Sequence, residues 1–159
     1  MEIIPVGSTS FQHEGSLDDQ KFYSFAKETL KKEGYRVVET SYVQFGGNNY
    51  HIEWLAQKAL DDYMAYRINV VLDFSNITEA SAIKEGKQIK TKTGKVIVQL
   101  ISSIVLDFLN KWTSGVSKLV KPLYDRMNSE TMNQRKEAFQ NELDNIKNAL
   151  QGSLSFQSY

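Results

Sequence analysis

Short segments rich in β-branched and aromatic residues alternate with turn residues through the middle of this 159-residue chain. The turn residues stand at 46–49, 75–76, 85–87 and 93–95, and a further break follows at 113–115. Strands separated by turns every eight to twelve or so residues are typical of an antiparallel meander. The middle of the chain is therefore predicted to form a mostly antiparallel β-sheet.

The strands predicted between these turns span 2–6, 35–45, 63–74, 77–83, 88–92 and 96–109. The stretch at 50–64 fits two structures. Its apolar residues have helical spacing over 52–64, and that template matches more residues. Tyr50, Ile52 and Trp54 would instead share one face of a strand, and such side chains suit a pleated surface. The turn residues just before them favour a hairpin, so a strand is predicted over 50–58.

Two helices are predicted beside the sheet. The first spans 17–33, with Ser16 as its cap, Asp19 three residues later and Gly34 as a left-handed stop. The second begins at Ser129, which caps it, and ends at Gly152. A further helical turn or two is predicted around Pro122. The apolar stripe of the first helix is Phe22, Phe25, Ala26 and Leu30, and the seam of the last is Met132, Phe139, Leu143, Ile146 and Leu150.

Together these elements predict a single α+β domain over 1–152, followed by a flexible tail at 153–159. The chain is long enough to bury a core without a staple. It contains no cysteine, which excludes disulfide frameworks, thiolate metal sites and a cysteine nucleophile. Its start lacks a signal-peptide pattern, and its most apolar stretch, Val96–Leu109, is shorter than a membrane-spanning helix. A cytoplasmic location is therefore expected.

The formal net charge is zero, which disfavours a globally basic nucleic-acid binder. One local patch stands out between 84 and 95, where five lysines are opposed only by Glu85. Such a patch could hold the phosphates of nucleic acid or of anionic lipid. It could also guard an exposed sheet edge against pairing. The guard is favoured because no aromatic residue stands among the lysines to stack on bases. The lysines are Lys84, Lys87, Lys90, Lys92 and Lys95.

No catalytic, cofactor-binding or metal-ligating residue is predicted, since the sequence lacks nucleotide-binding, zinc-hydrolase and serine-hydrolase motifs. The two histidines are His13 and His51. His51 and Glu53 would share a strand face with Asp61 or Asp62 nearby, but a solvated polar face is favoured over a metal site. Asp107 interrupts an apolar strand, so a basic partner or an exposed position is favoured for it.

The order strand, helix, antiparallel meander, long C-terminal helix resembles that of the helix-grip lipid- and hormone-binding proteins, without their second helix after the first. The resemblance implies an apolar cavity between the sheet and the last helix. Trp54 and Trp112 are the candidate pocket-lining residues, because a tryptophan near a strand end can line a cavity.

Three functions follow, in decreasing order of preference. The first is a non-enzymatic binding or interaction module that acts through the sheet edge, the lysine tips or the C-terminal seam. The second is a helix-grip-like carrier of a small apolar ligand, and the third is a hydrolase with dispersed carboxylates. The C-terminal seam is expected to pack on the sheet of the same chain, since isolated short helices are marginal in water. No partner is identified, and another protein or a second copy bound through the C-terminal helix is the alternative. Nucleic acid and anionic membrane surfaces are disfavoured.

Overall fold

The computed structural model describes residues 1–109 and 129–155. It confirms the predicted α+β class, with an antiparallel sheet and two helices. The break at 113–115, the turn around Pro122 and the residues from 156 onward lie outside the described residues. The elements are β1 (Glu2–Ser16), α1 (Asp19–Lys32), β2 (Arg36–Phe45), β3 (Asn49–Ala59), β4 (Met64–Lys84), β5 (Lys87–Leu106) and α2 (Ser129–Ser155).

The five strands are ordered β1-β5-β4-β3-β2, and every neighbouring pair is antiparallel. Hairpins join β2 through β5 into the predicted meander. The first strand of the chain then lies beside the last one, because β1 pairs with β5 along its length. This order leaves β1 and β2 as the two edges of the sheet.

The first strand is much longer than the predicted 2–6, since it pairs with β5 from Glu2 opposite Leu106 to Ser16 opposite Thr93. Its glycine and serine residues at 7–10 predict a loop from local preference alone. Pairing with a neighbouring strand overrides that preference. The only irregularity within this pairing is a register shift between Pro5 and Gly7, where a proline at an edge is tolerated.

The last two strands form one long hairpin instead of the two predicted. Its turn is Glu85-Gly86, and φ is positive at both residues (53° and 76°), as a type I′ turn requires. The turn predicted at 93–95 is therefore wrong. That stretch lies opposite the one at 75–78, where the pairing shifts register within a continuous ladder.

Close packing of the two strands at this register shift explains the presence of Gly94, the residue that predicted a turn. A Cβ atom on Gly94 would lie 2.4 Å from the Ile77 Cδ1 atom. Asn76 on the facing strand has a φ of 55°, a left-handed conformation that asparagine tolerates. The Cβ atom on Gly94 would also lie 3.2 Å from the Ser75 carbonyl oxygen and 3.3 Å from the Ile77 Cα atom, so glycine favours this close approach and the strand continues through it.

The stretch that fits both templates is a strand, as predicted, and extends over all of β3. Its residues pair with β2 on one side and β4 on the other. Ile52, Trp54 and Ala56 point to the covered face and are buried. A strand is favoured over a helix here because β3 provides hydrogen-bond partners for both β2 and β4. A helix at this position would leave the facing backbone groups of those two strands unpaired.

Both helices pack on one face of the sheet. Helix α1 begins after Asp18, which accepts a hydrogen bond from the Lys21 N–H (3.2 Å), so the predicted Ser16 cap is wrong. Phe25 of the predicted stripe is 41% exposed. Helix α2 continues past its predicted end at Gly152. The buried helical residues are Phe22, Ala26 and Leu30 in α1, and Phe139, Leu143, Ile146, Leu150 and Leu154 in α2.

Neither of the two helices described has the length and apolarity that a membrane crossing requires. The strand predicted to reach 109 ends at Leu106, because Asp107 adopts a φ of 51°. Asp107 is buried, which excludes the exposed position, one of the two predicted alternatives. Its Oδ2 atom lies 3.7 Å from the Met1 amino nitrogen, which is an α-ammonium cation.

Candidate functional site

The lysine patch lies on a two-stranded ribbon, residues 78–93, that extends from the sheet. Pairing within the ribbon runs from Thr78 opposite Thr93 to Lys84 opposite Lys87. Successive side chains of a strand point to opposite faces. Lys90 and Lys92 therefore share the helix-covered side, whereas Lys87 and Lys95 point to the other side. Lys84 lies directly opposite Lys87. The five lysines do not form one surface.

One of the five is also engaged within the chain. The Lys92 ammonium donates to the Asp19 Oδ1 atom (3.2 Å), and this hydrogen bond raises the pKa of Lys92. Glu79 stands opposite Lys92 on the neighbouring strand. The ribbon contains no aromatic residue and carries exposed Ile83. These features support the edge-guard interpretation of the lysines.

The candidate pocket residue Trp54 is almost completely buried (1% exposed) in the helix-covered face of β3. Its ring meets the Tyr23 ring edge to face, with centroids 5.0 Å apart. The Tyr23 hydroxyl donates to the Glu39 Oε1 atom (2.8 Å), and the Trp54 indole N–H points at the same atom (3.4 Å). Trp54 thus lies behind Tyr23. Trp112 falls outside the described residues.

Above Tyr23, a cleft of about 230 Å³ opens between α1 and the hairpin of β2 and β3. The rings of Tyr42 and Tyr50 form one wall, tilted to each other with centroids 6.1 Å apart. A second cleft of about 540 Å³ shares Asp19, Gln20 and Tyr50 with the first and extends toward the ribbon. The first cleft is lined by Asp19, Gln20, Tyr23, Ser24, Tyr42, Tyr50, Ile52 and Phe74.

Carboxylates surround these clefts. Burial raises the pKa of the Tyr23 and Tyr42 hydroxyls, and the nearby Glu39 carboxylate raises both further. Asp19 adds to the effect on Tyr42. The Lys27 ammonium lies over the Tyr23 ring, 5.7 Å from its centroid. The cleft therefore combines aromatic walls with an acidic surrounding.

A second polar cluster holds α2 in place. The Lys58 ammonium forms an ion pair with Glu142 and donates to the Glu33 carbonyl oxygen (3.0 Å). The Tyr35 hydroxyl donates to the other Glu142 oxygen (2.9 Å), and burial raises its pKa. Lys58 also lies over the Tyr35 and Tyr66 rings, 4.8 and 5.7 Å from their centroids. Every charge in this cluster has a partner from another element, which indicates a structural role.

His51 and Glu53 lie on one strand face, as predicted, but the second carboxylate is Asp73 of the neighbouring strand, and not Asp61 or Asp62. The His51 Nδ1 atom is 2.5 Å from Asp73 Oδ1, and its Nε2 atom is 3.3 Å from Glu53 Oε1. These contacts raise the pKa of His51, chiefly through Asp73. Asp61 instead accepts hydrogen bonds from backbone N–H groups at its own turn. Over 1–109 and 129–155, no group of three or more histidine and carboxylate side chains is arranged to hold a metal ion.

The edge strand β2 exposes apolar side chains on both of its faces. Val38, Tyr42, Val43 and Phe45 are each 45–54% exposed. From residue 40 to residue 45 the strand carries no charge, proline or glycine. The pairing with β3 shifts register between Glu39 and Ser41. The uncharged half of the strand lies beyond that shift.

No protein-family model matches the sequence, and no curated protein is significantly similar to it.

Proposed function

We propose that this protein is a non-enzymatic interaction module that assembles by adding a strand to β2. The observation that carries the proposal is the exposed, uncharged edge over residues 40–45. An edge strand presents a row of backbone groups that template pairing with another chain. Strand addition draws its affinity from those backbone groups and its specificity from alternate side chains. The occupant is β2 of a second copy, related by a two-fold axis.

Self-pairing of β2 satisfies both charge and geometry. In an antiparallel register centred on Val43, that residue faces its own copy and Ser41 faces Phe45. No two like charges then lie opposite each other, which would destabilise the pair. A two-fold axis uses the same patch on both copies, so one sequence serves both sides. The zero net charge of the chain also removes long-range repulsion between copies.

Other surfaces support assembly less well. The C-terminal seam, the alternative contact for a second copy, is buried within the chain at Phe139, Leu143, Ile146 and Leu150. A hydrolase built on carboxylates needs a pair of them free to act on substrate, whereas Glu53 and Asp73 both contact His51. The chain's cytoplasmic location stays a prediction from its lack of cysteine.

Sedimentation equilibrium of the wild type and two lysine variants tests the proposal. Val43→Lys would place two lysines opposite each other at the dimer axis and should weaken association by about tenfold or more. Ile97→Lys is the matched control, since Ile97 is similarly exposed (40%) on the same open face but lies on an interior strand. It should leave association unchanged. Circular dichroism melts establish that both variants fold.

Two results would overturn the proposal. A wild-type chain that stays monomeric over the whole concentration series shows that β2 does not pair with itself. Equal weakening by both lysine variants would place the interface on the open face of the sheet instead of the edge.

A further inference from the structure

The cleft above Tyr23 has the composition of a small-ligand site. Such sites are concave and mostly apolar, with a few polar groups that fix orientation. Here Tyr42, Tyr50 and Phe74 contribute rings, and Asp19 and Gln20 stand at the α1 side. The buried Trp54 ring contacts the Tyr23 ring edge to face, which holds the tyrosine in position.

The charges around the cleft favour a cation. Among the described residues that line the two adjacent clefts, the charged side chains are Asp19, Glu79 and Lys92, and Lys92 is already paired with Asp19. Outside the lining, Glu39 accepts a hydrogen bond from the Tyr23 hydroxyl, and Lys27 lies over the Tyr23 ring. An anionic ligand would meet an excess of carboxylates, whereas a cationic ligand would be attracted by them.

We infer that this cleft binds a small organic cation of the methylated or quaternary ammonium class, held against the rings of Tyr42 and Tyr50. Aromatic rings attract such cations through the negative charge of their faces, and rings that meet at an angle form a cage for quaternary ammonium groups. The tilted rings, 6.1 Å apart, provide such a corner. The cleft volume of about 230 Å³ accommodates a small organic ion. The site does not require the proposed assembly, although Tyr42 of the cleft lies on the strand that is proposed to pair.

Choline and 3,3-dimethylbutan-1-ol test the inference directly, because they share shape and hydroxyl group and differ in charge. Calorimetric titration of the wild-type chain should give affinity for choline at least tenfold greater than for the alcohol. Choline should also shift the ring resonances of Tyr23, Tyr42 and Tyr50 in NMR spectra. Equal or tighter binding of the neutral alcohol would overturn the cation assignment and make the cleft an apolar-ligand site.

Substitutions at Tyr42 distinguish the contribution of its aromatic ring to binding from that of its hydroxyl group. Tyr42→Leu removes the aromatic face and should weaken choline binding by about tenfold, whereas Tyr42→Phe keeps it and should bind within a few-fold of the wild type. Asp19→Asn removes a carboxylate, leaves Lys92 unneutralised and should also weaken binding. Ile97→Ala, on the open face of an interior strand, is the control. Undiminished choline binding by Tyr42→Leu, or no binding by the wild type, would refute the site.

Discussion

The two edges of the sheet are built differently. Edge β1 carries Pro5, a register shift beside Gly7 and a second glycine at its far end. Edge β2 has no proline or glycine, and its second half has no charge. Prolines, bulges and charges are the devices by which sheet proteins prevent strands from adding to their edges. One edge of this sheet is thus guarded and the other is open.

The edges of the ribbon show that the open edge is exceptional. The ribbon at 78–93 has strand edges of its own, and lysines are spread over both of its faces. Lysine is the charge most often used to blunt an exposed edge. Unlike β1 and the ribbon, the stretch of β2 over residues 40–45 carries none of these protective features. Such exceptions to general rules are expected at functional sites.

The helices that pack against the two edge strands also make different contacts. Helix α2 packs against β1, and buried apolar residues of β5 lie beside it. Helix α1 packs against β2, where Tyr23, Trp54 and Glu39 add polar contacts. The β1 side should therefore respond most to loss of apolar burial. The β2 side should respond to charge and pH.

The largest effect should come from charging the apolar seam of α2. Leu143→Asp places an unpaired carboxylate among buried side chains and should cost about 3–5 kcal/mol of unfolding free energy. Asn145→Asp adds the same charge at an exposed position two residues along the helix and should stay within about 0.5 kcal/mol. Thermal and urea melts measure both. Equal melting of the two variants would show that α2 does not support the β1 side.

The next effect separates the two faces of β5, the strand beside β1. Leu106 is 2% exposed, whereas Ile101 is 38% exposed on the open face. Leu106→Ala should cost about 2–5 kcal/mol through lost burial and a residual cavity. Ile101→Ala should cost less than half as much, because that side chain already meets water. Urea denaturation gives both values, and equal costs would show that the open face is covered by a partner under the assay conditions.

Local patterns predicted most of this fold because the relevant residues are neighbours in sequence. The stripe of α1, the strand at 36–45 and the hairpin turn at 85–86 all follow from spacing and turn chemistry. The errors lie where a distant strand decides the structure. The serines and glycine after Val6 are extended because β5 pairs with them, and Gly94 lies within a strand because Ile77 packs against it.

The candidate sites were predicted less well for the same reason. The lysine cluster was found because its members are close in sequence, but strand alternation divides it between two faces. The cleft was missed, since Asp19, Tyr42 and Tyr50 come from three elements. The signal that could have revealed it is the pair of tyrosines on either side of the glycine turn at 46–47, which a hairpin brings into contact.

Removing a guard should open a protected edge. Lys90→Val on the ribbon deletes an exposed charge opposite Ser81, two positions from the exposed Ile83 on the same ribbon face. Stability should change by no more than about 0.5 kcal/mol, while light scattering should show faster aggregation. Lys90→Arg keeps the charge and should behave as the wild type. Unchanged aggregation of Lys90→Val would show that this lysine does not guard the ribbon.

The smallest effect concerns His51, on the strand next to β2. Its folded pKa is raised above the unfolded value of about 6.5, chiefly by the hydrogen bond to Asp73. A raised pKa means that the stabilisation is fully present below about pH 6.5 and is lost as pH rises through the higher folded value. The wild type should therefore lose stability relative to His51→Gln over that interval. The loss should not exceed about 1 kcal/mol, because the pair is partly exposed and screened by solvent.

Melting temperatures of the two chains across that pH interval measure the difference, and Asp73→Asn serves as the control. It removes the first cause of the raised pKa and should flatten most of the pH dependence, leaving only the weaker contribution of Glu53. An equally steep dependence in Asp73→Asn would place the titration on another group. In that case the β2 side would be held by the Tyr23–Glu39–Trp54 contacts alone, and the contrast in pH response between the two edges would disappear.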